Sequence, residues 1–221
     1  MRALAVAMLS LGLCASCAEH ERVTPSSYPS SGLYTPGSTL GASDPTDVPM
    51  EGRSNRCASL PPVPGAVDGG PVGTAGTLTV EYMTQTVGGE FAPRNVSAVW
   101  IETMAGAYVA TIELSAAIRR KDLAYFQDRA CTDEPGPDVI VSATQKTHDK
   151  MHVAEWTGLD FEGKGVPDGP YKLYIEVTET DLEPGELNTY DFTKGPAPFA
   201  MTLPVALEGM LKQATATWAV R

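Results

Sequence analysis

Two histidines four residues apart, His148 and His152, are the residues of this chain best placed to do chemistry. Residues four apart share a side on a strand and a face on a helix. With Asp149, Asp138 or Glu155 nearby in sequence, two such imidazoles could hold zinc or copper. A third ligand would have to come from elsewhere. The plainer reading, two ordinary histidines on a polar edge, is preferred, and otherwise no cofactor is expected.

Other candidate chemistry gives way to structural readings. Asp160-x-Glu162-Gly163 with Asp168 hints at calcium, but it lacks the alternating oxygen ligands and final glutamate of an EF-hand loop. Turn capping by these carboxylates is the better expectation. Ser142-Ala143-Thr144 offers hydroxyls without a G-x-S-x-G elbow. The glycines from Gly65 to Gly76 are not followed by Lys-Ser/Thr, so they make no phosphate loop. Trp100, Trp156 and Trp218 read as core aromatics. Asn95-Val96-Ser97 is a glycosylation sequon only in a eukaryotic secretory route. No catalytic residue is expected, and none is assigned.

The N-terminus bears on the compartment. Met1-Arg2 precedes an eleven-residue apolar run, Ala3 to Leu13, too short to anchor stably in a bilayer and proportioned like a signal peptide. Ala15-Ser16-Cys17 resembles the end of a bacterial lipobox, with Cys17 the lipidated residue, although Cys14 stands where leucine is usual. Ordinary cleavage near Ala18 is the alternative. Export also suits the cysteines: two of four lie in this region. The other pair, Cys57 and Cys131, is expected to form a disulfide in an oxidising envelope. The formal net charge is −11 and becomes about −12 once Arg2 is removed. Such acidity argues against nucleic acid and against a polybasic membrane patch. The expected location is therefore the bacterial cell envelope, anchored to the outer membrane by lipid alone and facing the periplasm. The partner is an unidentified envelope protein.

Residues 18–76 are rich in Pro, Ser, Thr and Gly and poor in bulky apolar side chains, so they are expected to form a disordered tether. Residues 77–221 should form one β-sandwich domain. Strands are expected over 78–87, 96–104, 108–114, 138–143, 151–156, 171–177, 189–193, 199–207 and 214–220, with turn residues between them. One short helix is expected within Leu114–Gln127, capped by Ser115. Period two is clearest at the end of WTGLDFEGKGVPDGPYKLYIEV, residues 156–177, where Tyr171, Leu173, Ile175 and Val177 alternate with polar positions or Tyr174. Gly158 and Gly163 supply flexible connections, and Pro167-Asp168-Gly169 reads as a turn.

The pattern Trp156-x-Gly158-x-Asp160-x-x-Gly163-x-x-Val166-Pro167-Asp168-Gly169-x-Tyr171 resembles the immunoglobulin-like repeat of the flagellar hook-capping protein and of many exported bacterial domains. The wider layout is similar to domain-of-unknown-function family 2271, a group of predicted bacterial periplasmic proteins. The matching features are the Val96–Ile101 strand, the short helix, the Asp138–Thr144 element and the His152–Tyr171 hairpin. The resemblance implies an immunoglobulin-like β-sandwich and a neighbourhood of membrane redox or flavin-linked proteins. Val141-Ser142 replaces the family's Thr-Gly before Ala-Thr, which weakens an analogy with flavin attachment.

These features imply a non-enzymatic, envelope-tethered lipoprotein that binds or scaffolds. The competing expectation is an accessory to extracytoplasmic redox or metal handling through His148 and His152.

Overall fold

A computed structural model describes residues 60–221, apart from 71, 117, 131–136, 149 and 182–183. The strands are β1 (Gly76–Thr84), β2 (Val96–Thr103), β3 (Tyr108–Ser115), β4 (Ile140–Ser142), β5 (His152–Trp156), β6 (Gly169–Thr178), β7 (Glu186–Lys194), β8 (Phe199–Leu203) and β9 (Leu211–Val220). They form two sheets, ordered β5-β1-β9-β8 and β4-β3-β2-β6-β7. All pairings are antiparallel except β3 with β4. The chain is thus an all-β sandwich, as its strand spacing implies.

The two sheets bury differently, and the sequence shows why. In the four-stranded sheet, β1 and β5 alternate cleanly: Leu78, Val80 and Tyr82, with Ala154 and Trp156, face inward, while Glu81, Val153 and Glu155 face water. In β2 and β3 almost every residue is buried. That sheet is covered twice. Its inner face packs Val99, Ile101, Leu173 and Ile175 against Leu78, Val80 and Trp218. Its outer face carries a second core of Trp100, Tyr174, Leu123 and Phe126. Trp100 stacks on Tyr174 at 5.0 Å and meets Phe126 edge-on at 5.7 Å. Strands covered on both faces lose polar alternation. Each fully buried large side chain here contributes roughly 1.5–3 kcal/mol.

The cover on that outer face includes a 3-10 turn, Ile118–Asp122, and one helix, α1 (Ala124–Arg129). The helix is shorter than expected and Ser115 does not cap it. Ser115 ends β3, and its hydroxyl goes to Glu113 and Ser142. The residue before α1, Leu123, offers no capping side chain. Glu176 on β6 takes that role, accepting from the amides of Tyr125 and Phe126 at 3.1 and 2.8 Å.

Two further expectations are corrected. The Trp156–Tyr171 segment is not a hairpin, because β5 belongs to one sheet and β6 to the other. It is an arch that carries the chain across the sandwich. The Pro167-Asp168-Gly169 step is a bend running directly into β6. The tether boundary also moves. Val63, placed in the linker by composition, is only 4% exposed in the inter-sheet core. Val67 exchanges two backbone hydrogen bonds with Gly165. Residues 60–76 therefore belong with the sandwich.

Candidate functional site

Several buried polar residues, among them Thr84, Ser97, Glu113, His152 and Glu179, gather at the end of the sandwich where β1 finishes and β2 and β5 begin. Alternation along β5 turns His152 inward. Opposite it, β3 carries a bulge: Val99 pairs with Glu113 and Trp100 with Thr111, leaving Ile112 without a partner. The extra residue lets Glu113 face the interior, as Ala110 also does. His152 Nδ1 lies 2.7 Å from Glu113 Oε1, joining the two sheets through a buried pair. The imidazole also stacks on Tyr82, centroid to centroid 4.5 Å. The Tyr82 hydroxyl contacts Ser97 Oγ at 2.8 Å. Burial, then the nearby Glu113 carboxylate, pushes that phenol well above its ordinary value.

His148 sits in the β4–β5 connection and is bound separately. Its Nε2 lies 2.6 Å from Glu179 Oε1, and its Nδ1 lies 2.9 Å from Thr84 Oγ1. The other Glu179 oxygen accepts from the Thr86 hydroxyl and from the amides of Val87 and Gly89. Burial would raise this carboxyl, but those amides, Thr86 and His148 hold it below its ordinary value. One glutamate thus fastens the β1–β2 connection to the β4–β5 connection.

The two histidines do not converge on one point. Each is committed to its own glutamate, and both ring nitrogens of His148 are already bonded. Of the other expected ligands, Asp138 Oδ2 accepts from the Thr157 amide and hydroxyl, Glu155 lies on the exposed face of β5, and Asp149 is outside the described residues. Among the described residues, no group of three or more His, Cys, Asp or Glu is arranged to hold a metal. Nor is His152 the polar-edge residue expected, being 6% exposed.

The order of the hydroxyl chain also bears on hydrolysis. Ser142 Oγ contacts Ser115 Oγ at 2.7 Å, Ser115 donates to Glu113 at 2.7 Å, and Glu113 meets His152. A nucleophilic triad needs histidine between hydroxyl and carboxylate. Here the carboxylate stands in the middle, so neither Ser115 nor Ser142 is positioned to lose its proton to an imidazole.

The arch residues do structural work. Trp156 is fully buried and donates from Nε1 to Leu159 O at 2.7 Å. Tyr171 meets it edge-on at 5.6 Å and donates its hydroxyl to Pro167 O. Asp160 Oδ1 accepts from the amides of Glu162 and Lys164, a cap on its own loop. Burial raises its pKa while those amides pull it down. Gly158 and Gly163 both have positive φ, +88° and +80°, and at Gly158 an added Cβ would also lie 2.9 Å from Lys194 Cε. Gly169 opens β6. Asp168 holds Lys194 Nζ at 2.7 Å and accepts from the Thr74 amide and hydroxyl. Burial opposes the charge on Asp168, but Lys194 and Thr74 keep its pKa lowered. Asp160 thus caps its own loop, as expected, while Asp168 forms an ion pair with Lys194.

Sequence reasoning did not single out Glu113, Glu179, Glu176 or Lys194. A weak signal was available: each of these charges follows an alternating or apolar run that the strands bury. A charge at such a position needs a partner inside. The lipidation residue Cys17 and the pair Cys57 and Cys131 lie outside the described residues. Compared with family models, curated proteins and solved structures, the chain has no significant match.

Proposed function

We propose that this chain is an exported, lipid-tethered bacterial envelope protein whose sandwich binds or scaffolds another envelope protein and catalyses nothing. The observation that carries this reading is the internal use of its reactive side chains. His148, His152, Glu113, Glu179, Ser115 and Ser142 are bonded to one another or to nearby backbone and hydroxyls. What the domain offers outward is strand edge and loop. Ile140 and Val141 on β4 are 48% and 61% exposed, and Val153 on neighbouring β5 is 42% exposed. Open apolar edges favour strand addition by a partner. Export and anchoring rest on the short apolar N-terminus and Cys17, and the resemblance to family 2271 carries the same expectation.

Metal handling through His148 and His152 is the competing reading. Zinc or copper at His148 would have to displace Glu179 or Thr84, which counts against it.

The test uses the full chain in a bacterial envelope. Cys17→Ser should move it from the membrane to the soluble envelope fraction. A photoreactive side chain at Val141 should give a discrete adduct that the same group at exposed Lys212 does not. Unchanged fractionation would defeat the anchoring claim, and equal adducts at both sites would defeat the edge claim. Stoichiometric zinc or copper in the purified protein would favour metal handling.

A further inference from the structure

Among the described residues the two sheets differ in width. One has five strands, β4-β3-β2-β6-β7, and the other has four, β5-β1-β9-β8. On the side of β5, the wider sheet ends in β4. It pairs in parallel with β3, setting Ile140 beside Glu113 and Ser142 beside Ser115. The Ser115 and Ser142 hydroxyls touch, so these pairs share a face, and Glu113 meets His152 of the opposite sheet across it. Ile140 therefore points to the inside of the sandwich. The inner-face residues Val99, Ile101 and Leu173 are at most 1% exposed, whereas Ile140 is 48% exposed. The cover that β5 gives Glu113 does not extend to Ile140, one strand further out.

The outer side of β5 also presents backbone groups. Thr157, the residue after β5, turns its amide away from β1 to Asp138 Oδ2 at 2.7 Å. Amides alternate sides along a strand, so those of Val153 and Glu155 point the same way. Asp138 thus stands where the carbonyl of a neighbouring strand would, at one end of that row. We propose, on the reading of the domain as a binding module, that an extended segment of the partner adds beside β5 as the fifth strand of its sheet, with an apolar side chain over Ile140 and a lysine or arginine beside Glu155.

The surroundings select that chemistry. A strand edge is satisfied by another strand: main-chain hydrogen bonds supply affinity, and alternate side chains supply the choice of partner. Inward, the added strand meets Ile140, so side chains on that face are apolar. Outward, it runs beside Val153 and Glu155, and Glu81 of β1 lies opposite Val153. Both carboxylates are exposed. Opposite charges on neighbouring strands attract, so the outward face of the partner segment is basic. The segment therefore alternates apolar with basic residues. β5 contains neither the proline nor the lysine that keeps strands off an edge, whereas β8, the other edge of its sheet, is flanked by Pro198 and Pro204.

The test uses the full chain and two short synthetic peptides of one composition, the first alternating lysine with valine, the second with its valines and lysines in separate blocks. Amide hydrogen exchange is followed by NMR. At about ten times its Kd, the alternating peptide should slow exchange at Val153 and Glu155 about tenfold and leave Thr189 and Asp191 on the β7 edge unchanged. The block peptide should protect none of the four. Glu155→Lys, at an exposed position, should weaken the alternating peptide about fivefold or more and let a glutamate–valine peptide bind instead. Equal protection by both lysine peptides, or protection along β7 in place of β5, would overturn the proposal. So would slow exchange at Val153 and Glu155 without peptide. If that protection rose with protein concentration, a second copy would hold the edge; if not, residues 18–59 of the same chain would. A discrete adduct at Val141 in the envelope with no peptide protection along β5 would refute strand addition and leave the binding reading standing. Absence of both would overturn both.

Discussion

Glu176 reaches across fifty residues of sequence to hold the amide of Phe126 at 2.8 Å, so a strand caps the helix that covers it. Burial pushes the Glu176 carboxyl up to about 7, against the downward pull of the Phe126, Tyr125 and Ala124 amides.

That shift fixes the sign of a pH effect. The folded chain holds this proton more tightly than the unfolded chain, whose glutamate titrates near the ordinary 4.5. The contribution is complete below that value and is lost as pH rises through about 7. Urea unfolding should show the domain more stable near pH 5 than near pH 8, by up to ~3 kcal/mol from this group. Glu176→Gln should flatten that slope. A slope unaltered in the variant would mean that other groups govern it.

Trp156 anchors the arch between the sheets, touching Tyr171, Phe192 and Trp218. Trp156→Ala should cost about 3–5 kcal/mol. Tyr171→Phe removes only the bond to Pro167 O and should cost about 0.5–1.5 kcal/mol. Denaturant melts of both variants check the order. Equal losses would show that the hydroxyl, not the ring packing, secures the arch.

His152 is the sole imidazole on Glu113, and Glu113 Oε2 already lacks a hydrogen-bond partner. His152→Ala should therefore cost about 1–3 kcal/mol by taking one donor from that carboxylate and leaving it the Ser115 hydroxyl. His148→Ala should act on the β1–β2 connection, raising hydrogen exchange at the Val87 and Gly89 amides. Added zinc, copper or chelator should leave the unsubstituted melting point unchanged. A metal-dependent rise abolished by either substitution would establish a metal site.

The residues flanking two cysteines pack on one cluster: Leu60 and Ala130 both lie against the core around Trp100 and Phe126. A Cys57–Cys131 disulfide should follow, closing a loop of about 75 residues and adding about 2–4 kcal/mol. Alkylation without reductant, read by intact mass, should find neither thiol modified. Two alkylated thiols would refute the bond.

Strand positions were legible because period two and turn residues are local properties. The Gly76–Thr84 and Gly169–Thr178 strands and the Thr103–Ala107 turn could be found from spacing alone. Partnership was not legible. Nothing local says that Trp156 and Tyr171 end up in strands of different sheets, because the connection between them carries the same glycines and proline as a hairpin loop. The histidine site failed for a related reason. Spacing places His148 and His152 near each other, but Glu179 and Glu113, which decide what each does, are supplied from just after β6 and from β3. Val63 was misplaced because composition averages over a window and hides one apolar residue that inserts into a core.

The pairing of β1 with β9 sets an order of assembly. Gly76 lies opposite Val220, and β9 stands between β1 and β8. Without β9, Leu211–Val220, β1 has only β5 beside it and β8 has no neighbour in its sheet. The β1–β9 pairing is thus a contact between segments far apart in sequence, the kind of contact that slows folding. A nascent chain that lacked β9 would present the open edges of β1 and β8 in place of a continuous sheet.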